Sequence, residues 1–534
     1  MTYVAERFTE DEATVLRPYF TDLEGPVFAL VNLPEVVKGA LFARYSRSSK
    51  SLRRLFLDEF VGDLDLTGDL SVDATIGLAR AEELYERVFV EYGDDSVAQL
   101  GGVHLACEQA SNVLTKILEW GRLMSYLEQS TRYIPYDIRL GGRYRYRRDP
   151  DVLGSALGAR YVADMDAIFS TYSDMLPIMV EWARERHPKD PADSDFVYKQ
   201  TINAKACDAL RGLLPAATLS NVGIYGTGQA YEALLLRMRA HALPEAREYA
   251  AMMLTELRKV IPSFLSRVDR EERGGAWSRY LADTREQTSA AATALLGDTE
   301  PAEAPAVTLT DWDPEGEDKV LAAICYAHTD LPEIQVFERV RQMDAESKRA
   351  LMDAYVGERA NRRHRPGRAF ERVAYRFDVL CDYGAFRDLQ RHRMLTLEWQ
   401  PLVPFHGYDV PEAVIEAGQA DAFRESMGRS ADLYAALHDE FPEQAAYAVA
   451  LGYKVRFVMQ MNAREAMHML ELRSTPQGHP AYRAIAQEMH RQIEHRAGHR
   501  LIAEAMAHVD YSQHDLERLE AERAADRRRG RSGA

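Results

Sequence analysis

LEWGRLMSYLEQSTRYIPYD, residues 118–137, sets Arg122, Ser125, Glu128, Ser130 and Arg132 within eleven residues, beside Tyr126, Tyr133 and Tyr136. The stretch is too polar for a core strand and too regularly spaced for a random loop. Arginine offers a planar fork of donors, a carboxylate only accepts, and serine bonds in either direction, so together they can hold an anion and the edge of a polar ring. The stretch reads as a small-anion site. The competing reading is a solvated loop whose arginines pair with surface acids, since charged groups are more often structural than catalytic. A second copy of the region decides between them.

Residues 27–34 (VFALVNLP) read as a buried strand, followed by a helical pattern through ALFARYSRSSKSLRRLFLDEF with Ser46 and Lys50 near its middle. Residues 320–335 repeat the theme. Leu33-Pro34-Glu35-Val36 answers to Leu331-Pro332-Glu333-Ile334, and Ser49-Lys50 to Ser347-Lys348, at one common offset. So long a period is a tandem duplication and not a solenoid. The organisation expected is a first domain over 1–289, a linker over 290–319 rich in Ala, Pro, Asp and Glu, a second domain over 320–515, and a charged tail over 516–534.

Each copy carries an apolar or alternating run, VHLACEQASNVL (103–114) and ERVAYRFDVLCDYG (371–384). In the latter Val373, Tyr375, Phe377 and Val379 point one way and Ala374, Arg376 and Asp378 the other, which predicts a strand. LQRHRMLTLEWQPLVP (389–404) follows it, with Arg393 answering to Arg122 and Thr396 to Ser125. Long amphipathic helices are expected in 160–285 and 412–515. An insertion found only in the first copy, RLGGRYRYRRDPDV (139–152), is expected to face solvent.

The bulk properties narrow the function. At 534 residues the chain is too long for one core. No apolar run reaches the roughly 20 residues that span a bilayer, and the N-terminus MTYVAERFTEDEATV carries acids in place of a signal peptide's apolar core. A soluble cytoplasmic protein is expected. The net charge of −17 repels nucleic acid and anionic membrane, so an anionic ligand requires a local basic pocket. Cys107, Cys207, Cys325 and Cys381 form no CxxC pair and read as buried reduced thiols. A metal at Glu494, His495 and His499 is weighed and set aside: no HExxH is present, and Arg496 and Arg500 mark a solvated face. The Arg-Arg-His-Arg run at 362–365 precedes the strand and reads as a loop.

Strand, then Arg-His-Arg, then a Ser/Glu/Ser/Arg loop ending in Arg-Tyr resembles the flavin-dependent thymidylate synthase family, whose signature reads RHRxxSxNExSxRY. The first copy fits the second half of that signature through Arg122, Ser125, Glu128, Ser130, Arg132 and Tyr133, and departs at Trp120, Gly121 and Leu127. The second copy is complementary: Arg391, His392 and Arg393 match, while Trp399, Pro401 and Val403 replace Glu, Ser and Arg. The Ala-Arg-x-Ser block survives as Ala43-Arg44-Tyr45-Ser46, and a degenerate turn as Gly93-Asp94-Asp95-Ser96 and again at Pro366 to Glu371. The helix-end arginine survives as Arg211, with Ala448 in the other copy. The Asn-x-Arg helix is intact as Asn462-Ala463-Arg464 and Arg473, with His468 where the family often has Asn.

The resemblance implies an α+β fold: two tandem copies of a flavin-dependent thymidylate synthase-like domain, each a small, mainly antiparallel sheet packed with long helices. It also implies reductive methylation of deoxyuridylate (dUMP) to thymidylate (dTMP), with FAD as cofactor and NADPH and methylenetetrahydrofolate as co-substrates. By residue, it places Arg122, Glu128, Ser130, Arg132, Arg211 and Arg391 on the nucleotide. Ser46, Arg391, His392, Arg393, Asn462, Arg464 and His468 fall on the flavin, and Arg473 on the uracil as the catalytic group. The family builds its site at subunit interfaces. The expectation here is therefore a composite site between the copies, with a homodimer standing in for the family's tetramer and half as many flavins. Independent decay of two copies strips motifs at random, whereas nearly every block lost in one copy is kept in the other. Asp388, where the family commonly has Gln, leaves open another pyrimidine nucleotide as substrate, and a binding module without turnover remains the alternative of a different class.

Overall fold

Alternation of apolar and polar residues around each Arg/Ser stretch produces the same sheet twice. The computed structural model describes residues 3, 4, 6–33, 45, 48–59, 102–191, 193–512, 516, 519 and 523. The first sheet contains β1 (Val27–Leu30), β2 (Gly102–Ser111), β3 (Met124–Glu128) and β4 (Leu219–Thr227); the second contains β5 (Val307–Trp312), β6 (Ala374–Asp382), β7 (Leu395–Trp399) and β8 (Lys454–Asn462). Their orders are β1-β2-β4-β3 and β5-β6-β8-β7, and every neighbouring pair is antiparallel. The helices used below are α1 (Gly158–Arg186), α2 (Asp195–Leu210), α3 (Tyr383–Gln390), α4 (Ala420–His438), α5 (Ala463–Arg473) and α6 (Pro480–His495). The fold is α+β, as the sequence predicts.

In β6 the residues Tyr375, Phe377, Val379 and Cys381 are buried, and in β8 so are Val455, Phe457, Met459 and Met461. The register sets Tyr375 opposite Met461 and Phe377 opposite Met459, so one face of the sheet is continuous core and the period-2 reading of 371–384 holds. The outer strand β5 is tied down by α6: Gln492 Oε1 accepts from Leu309 N–H at 2.6 Å, and its amide donates to Val307 O at 2.9 Å. Bonds of this kind blunt an otherwise open edge.

Three expectations are corrected. The stretches 160–285 and 412–515 are not helical throughout, because β4 and β8 fall within them. Residues 320–335 do not repeat the first strand; they fall mostly in helices Gly316–Tyr326 and Glu333–Arg341, and the counterpart of β1 is β5, in the stretch read as linker. VTLTDW has β-branched residues in alternation, whereas Val320, Leu321, Ala322 and Ile324 form a helical stripe. The insertion at 139–152 faces solvent only at its ends: residues 139–143, 150 and 151 are exposed, whereas its middle is inside. Tyr144, Arg145, Tyr146 and Arg147 are buried. Arg145 Cζ lies 4.1 Å from the Tyr136 ring centroid, and Arg147 pairs with Glu248 at 2.6 Å. Aromatic faces and a carboxylate compensate these guanidiniums for lost water, which a charge count along the chain does not reveal.

Packing divides the chain into two compact units. One comprises Met1–Asp174, Leu213–Pro301 and Asp421–Ala450, the other Met175–Gly212, Ala302–Ala420 and Leu451–Ala534. Membership cuts across the two copies. The first unit takes nearly all of α4 from the second copy, and the second unit takes α2 and Arg211 from the first. Each borrowed segment lies between the third and fourth strands of its own copy. In the first unit the borrowed Tyr447 donates to buried Glu245 at 2.7 Å, and Glu245 also accepts from Ser111 N–H and Oγ–H at 2.9 and 2.6 Å. In the second, Gly452 N–H donates to Gly212 O at 2.8 Å.

Candidate functional site

The second unit concentrates the chemistry where α3 turns into β7 beside α5. Asp382 caps α3 by accepting from Ala385 N–H at 2.9 Å, and the helix runs out at Arg391. The turn Arg391-His392-Arg393 leaves both arginines exposed and drives His392 inward, to 6% exposure. Asn462 caps α5 by accepting from Glu465 N–H at 2.9 Å, which fixes the first turn that carries Arg464 and Glu465.

His392 joins two residues of α5. Arg473 Nε donates to His392 Nε2 at 3.0 Å. A guanidinium can only donate, so Nε2 is the acceptor, the ring proton sits on Nδ1, and Nδ1–H donates to Glu465 Oε1 at 3.0 Å. His468 stands edge-on to His392, with centroids 5.3 Å apart, and its Nδ1 accepts from Arg365 at 2.8 Å. Burial, reinforced by nearby guanidiniums, holds His392 well below the usual histidine range and His468 down at about 4. Both rings are neutral near pH 7. Burial also pushes Glu465 up to about 7, against the pull of Arg365, Arg464 and Arg393.

The ligand atoms of His392, Glu465 and His468 lie within 4.8 Å of one another, a spacing that fits a metal ion. The chemistry does not. One lone pair on each ring is occupied by a guanidinium N–H, and the charges of Arg362, Arg365, Arg464 and Arg473 all act on His468. This concentration of arginine in a chain of net charge −17 suits an anion. It fits the phosphates of a flavin dinucleotide, which Arg365, Arg393 and Arg464 would hold. The metal candidate at the other end of α6 has its own structural use: His499 Nε2 donates to Asp313 O at 3.0 Å and Nδ1 accepts from Tyr375 at 2.7 Å.

Arg211 stands in this same unit. Its Nη1 lies 3.3 Å from Asp388 Oδ2 and its Nη2 3.4 Å from Asp382 Oδ1, with the side chain almost wholly buried. Gly384 permits this approach: a Cβ there would meet Arg211 Nε at 3.1 Å and Asp382 Oδ1 at 2.9 Å. Asp388 also lies 3.7 Å from Arg391. Thus Arg211, Arg391, His392, Arg393, Asn462, Arg464, His468 and Arg473 all belong to the second unit.

Arg122, Glu128, Ser130 and Arg132 belong to the first unit. Glu128 is buried at the end of β3 and pairs with Lys116 at 3.2 Å, which also binds Glu119 at 2.5 Å. Ser130 Oγ accepts from Arg132 N–H at 3.2 Å, Arg132 is buried and Arg122 exposed. At Gly121, in the turn equivalent to that of His392, a Cβ would meet Tyr126 Oη at 2.7 Å, and Arg237 Cζ lies 5.1 Å from the Trp120 ring centroid. Ser46 and the Gly93 to Ser96 turn lie outside the described residues.

Sequence reasoning missed two members of the cluster. Glu465 could have been found as a carboxylate in the first turn of a helix whose neighbouring faces carry His468 and Arg473. Arg365 sits in the Arg-Arg-His-Arg run read as a plain loop.

Comparison with known proteins identifies the family. The family described as thymidylate synthase complementing protein matches residues 41–263 and 308–499, once in each copy. A UPF0159 protein of Chlamydia muridarum is 39% identical over 96% of this chain and 98% of its own length, and one from Thermoplasma acidophilum is 31% identical over 91% and 97%. A flavin-dependent thymidylate synthase of Geobacter sulfurreducens is 26% identical over 34% of this chain and 78% of its own. The solved UMP/dUMP methylase PolB from Streptomyces cacaoi, bound with 5-Br dUMP, matches 38% of this chain and 94% of its own at 19% identity, with a TM-score of 0.29. No helix among the described residues is long and apolar enough to cross a membrane. The chain belongs to the thymidylate synthase complementing protein family, whose domain it carries twice.

Proposed function

We propose that this protein is a thymidylate synthase that methylates dUMP reductively to dTMP, with methylenetetrahydrofolate as one-carbon donor and NADPH as reductant. The observation that carries the reading is the company Arg211 keeps. It is encoded in the first copy, the resemblance assigns it to the nucleotide phosphate, and it folds into the unit that contains Arg391, His392, Arg393, Arg464 and Arg473.

FAD, when bound, supplies the reducing electrons. The chain's own residues bind and orient. Arg365, Arg393 and Arg464 neutralise phosphate charge, and each guanidinium–phosphate pairing contributes about 1.5–3 kcal/mol. Arg473 presents its guanidinium to the uracil ring, where donors stabilise negative charge that develops at the carbonyls during methylene transfer. Buried Cys107, Cys207 and Cys381 have no part in this chemistry.

Purified protein given NADPH, methylenetetrahydrofolate and dUMP tritiated at C5 is expected to release tritium and form dTMP, with loss of about tenfold or more in kcat/KM for Arg211→Ala. Flavin-loaded protein that releases none sinks the reading. Asp388, a carboxylate that engages Arg211, favours a second reading in which the substrate is a different pyrimidine nucleotide; product analysis with UMP separates the two.

A further inference from the structure

The three-residue chain Glu465, His392, Arg473 has a fixed direction of donation that neither motif comparison nor the resemblance assigns. Arg473 Nε–H donates to His392 Nε2, and His392 Nδ1–H donates to Glu465 Oε1, each at 3.0 Å. Glu465 and Arg473 lie eight residues apart on α5, and His392 comes from the turn after α3, so one ring spans two turns of the helix. The Tyr482 ring centroid lies 5.6 Å from Arg473 Cζ and flanks the guanidinium. The long, rotamer-rich arginine side chain is therefore held at Nε by His392 and is also hydrogen-bonded by Tyr482, which together set the direction of the fork.

We propose that Glu465 is a positioning residue for Arg473: by accepting from His392 Nδ1–H it keeps Nε2 as the acceptor that holds Arg473 Nε–H, and so aims the guanidinium at a nucleotide ring. What Arg473 is aimed at rests on the function proposed above; that it is aimed by Glu465 does not. A carboxylate accepts only, and its negative charge makes the far nitrogen of the imidazole a stronger acceptor. A protonated Glu465 can donate to Nδ1 instead. The ring proton then moves to Nε2, where it opposes the Arg473 N–H.

The two imidazoles that face the relay do not titrate in the same window. His392 and His468 are held neutral by burial and by the guanidiniums around them. Asp388 and Glu371 are the remaining acids around the cluster, and Glu371 is held below the usual range by Arg368. Glu465, raised to about 7, is the group that changes charge between pH 6 and 8. The hold on Arg473 is thus present above pH 7 and lost as the pH falls below it.

The test uses the full chain without ligand, labelled with ¹⁵N-arginine. The Arg473 Nε–H signal, identified by its disappearance in Arg473→Lys, is expected to be protected from solvent exchange relative to free arginine at pH 8. That protection falls roughly tenfold at pH 6, and falls as far at pH 8 in Glu465→Gln with unchanged thermal stability. Glu465→Asp restores part of it. Protection independent of pH in the unaltered protein, or equal in Glu465→Gln, overturns the proposal; the pH series stands alone if the variant does not fold. In the same samples, titration with dUMP is expected to show affinity that follows the protection. Protection that behaves as stated in a protein that binds no uridine nucleotide leaves the relay standing and removes the proposed substrate.

Discussion

At the scale of single residues, the two units treat buried charge differently. In the first, Lys116 serves two carboxylates, Glu119 and Glu128, at nearly zero exposure. Lys116→Met removes the ammonium from two buried acids, and urea unfolding is expected to show a loss of about 3–5 kcal/mol; adding Glu119→Gln and Glu128→Gln recovers much of it. Loss below about 1 kcal/mol means the carboxylates find other compensation. In the second unit the burden is shared by neutral imidazoles and a carboxyl raised to about 7. The histidines and all the cluster's motif arginines were legible because the motif fixes their types, whereas Arg365 lies outside the motif. Glu465 was not, because its role depends on which nitrogen of His392 carries a proton, and that is set by Arg473 across space.

At the scale of elements, α5 depends on the residue that caps it. Asn462 Oδ1 accepts from Glu465 N–H, so Asn462→Ala is expected to cost about 1 kcal/mol in thermal or urea unfolding, and Asn462→Ser to recover most of it. An equal loss in both points to contacts of the amide beyond the cap. The strand β6 was readable because its buried positions alternate without interruption. β5 was hidden by the Pro- and Glu-rich residues before it, whose composition dominated a short run, although α6 and β6 make a strand of it. The 139–152 insertion misled for a related reason: arginine stems and planes pack well on tyrosine, and five arginines within ten residues do not say whether such faces are nearby.

At the scale of the molecule, the duplication was visible in the sequence but the exchange of segments was not, since nothing in a linear pattern says which sheet a helix will cover. Expressed alone, residues 1–305 lack the segment Asp421–Ala450 that completes the first unit, and residues 306–534 lack Met175–Gly212. Neither half is expected to unfold cooperatively in calorimetry, whereas the two co-expressed are expected to copurify and recover a transition. A cooperative transition in either half alone refutes the dependence. The exchange also governs what happens on the ribosome. Helix α2, with Val197, Thr201, Ile202, Ala206 and Leu210 turned inward in the finished protein, is made long before β6 and β8. At about 5–20 residues per second, some 250 residues and roughly 12–50 seconds separate it from the last strand of its sheet. For that interval the nascent chain carries an apolar helix with no surface to cover it, so this protein is expected to lean on holding chaperones during synthesis far more than a chain of two self-contained domains.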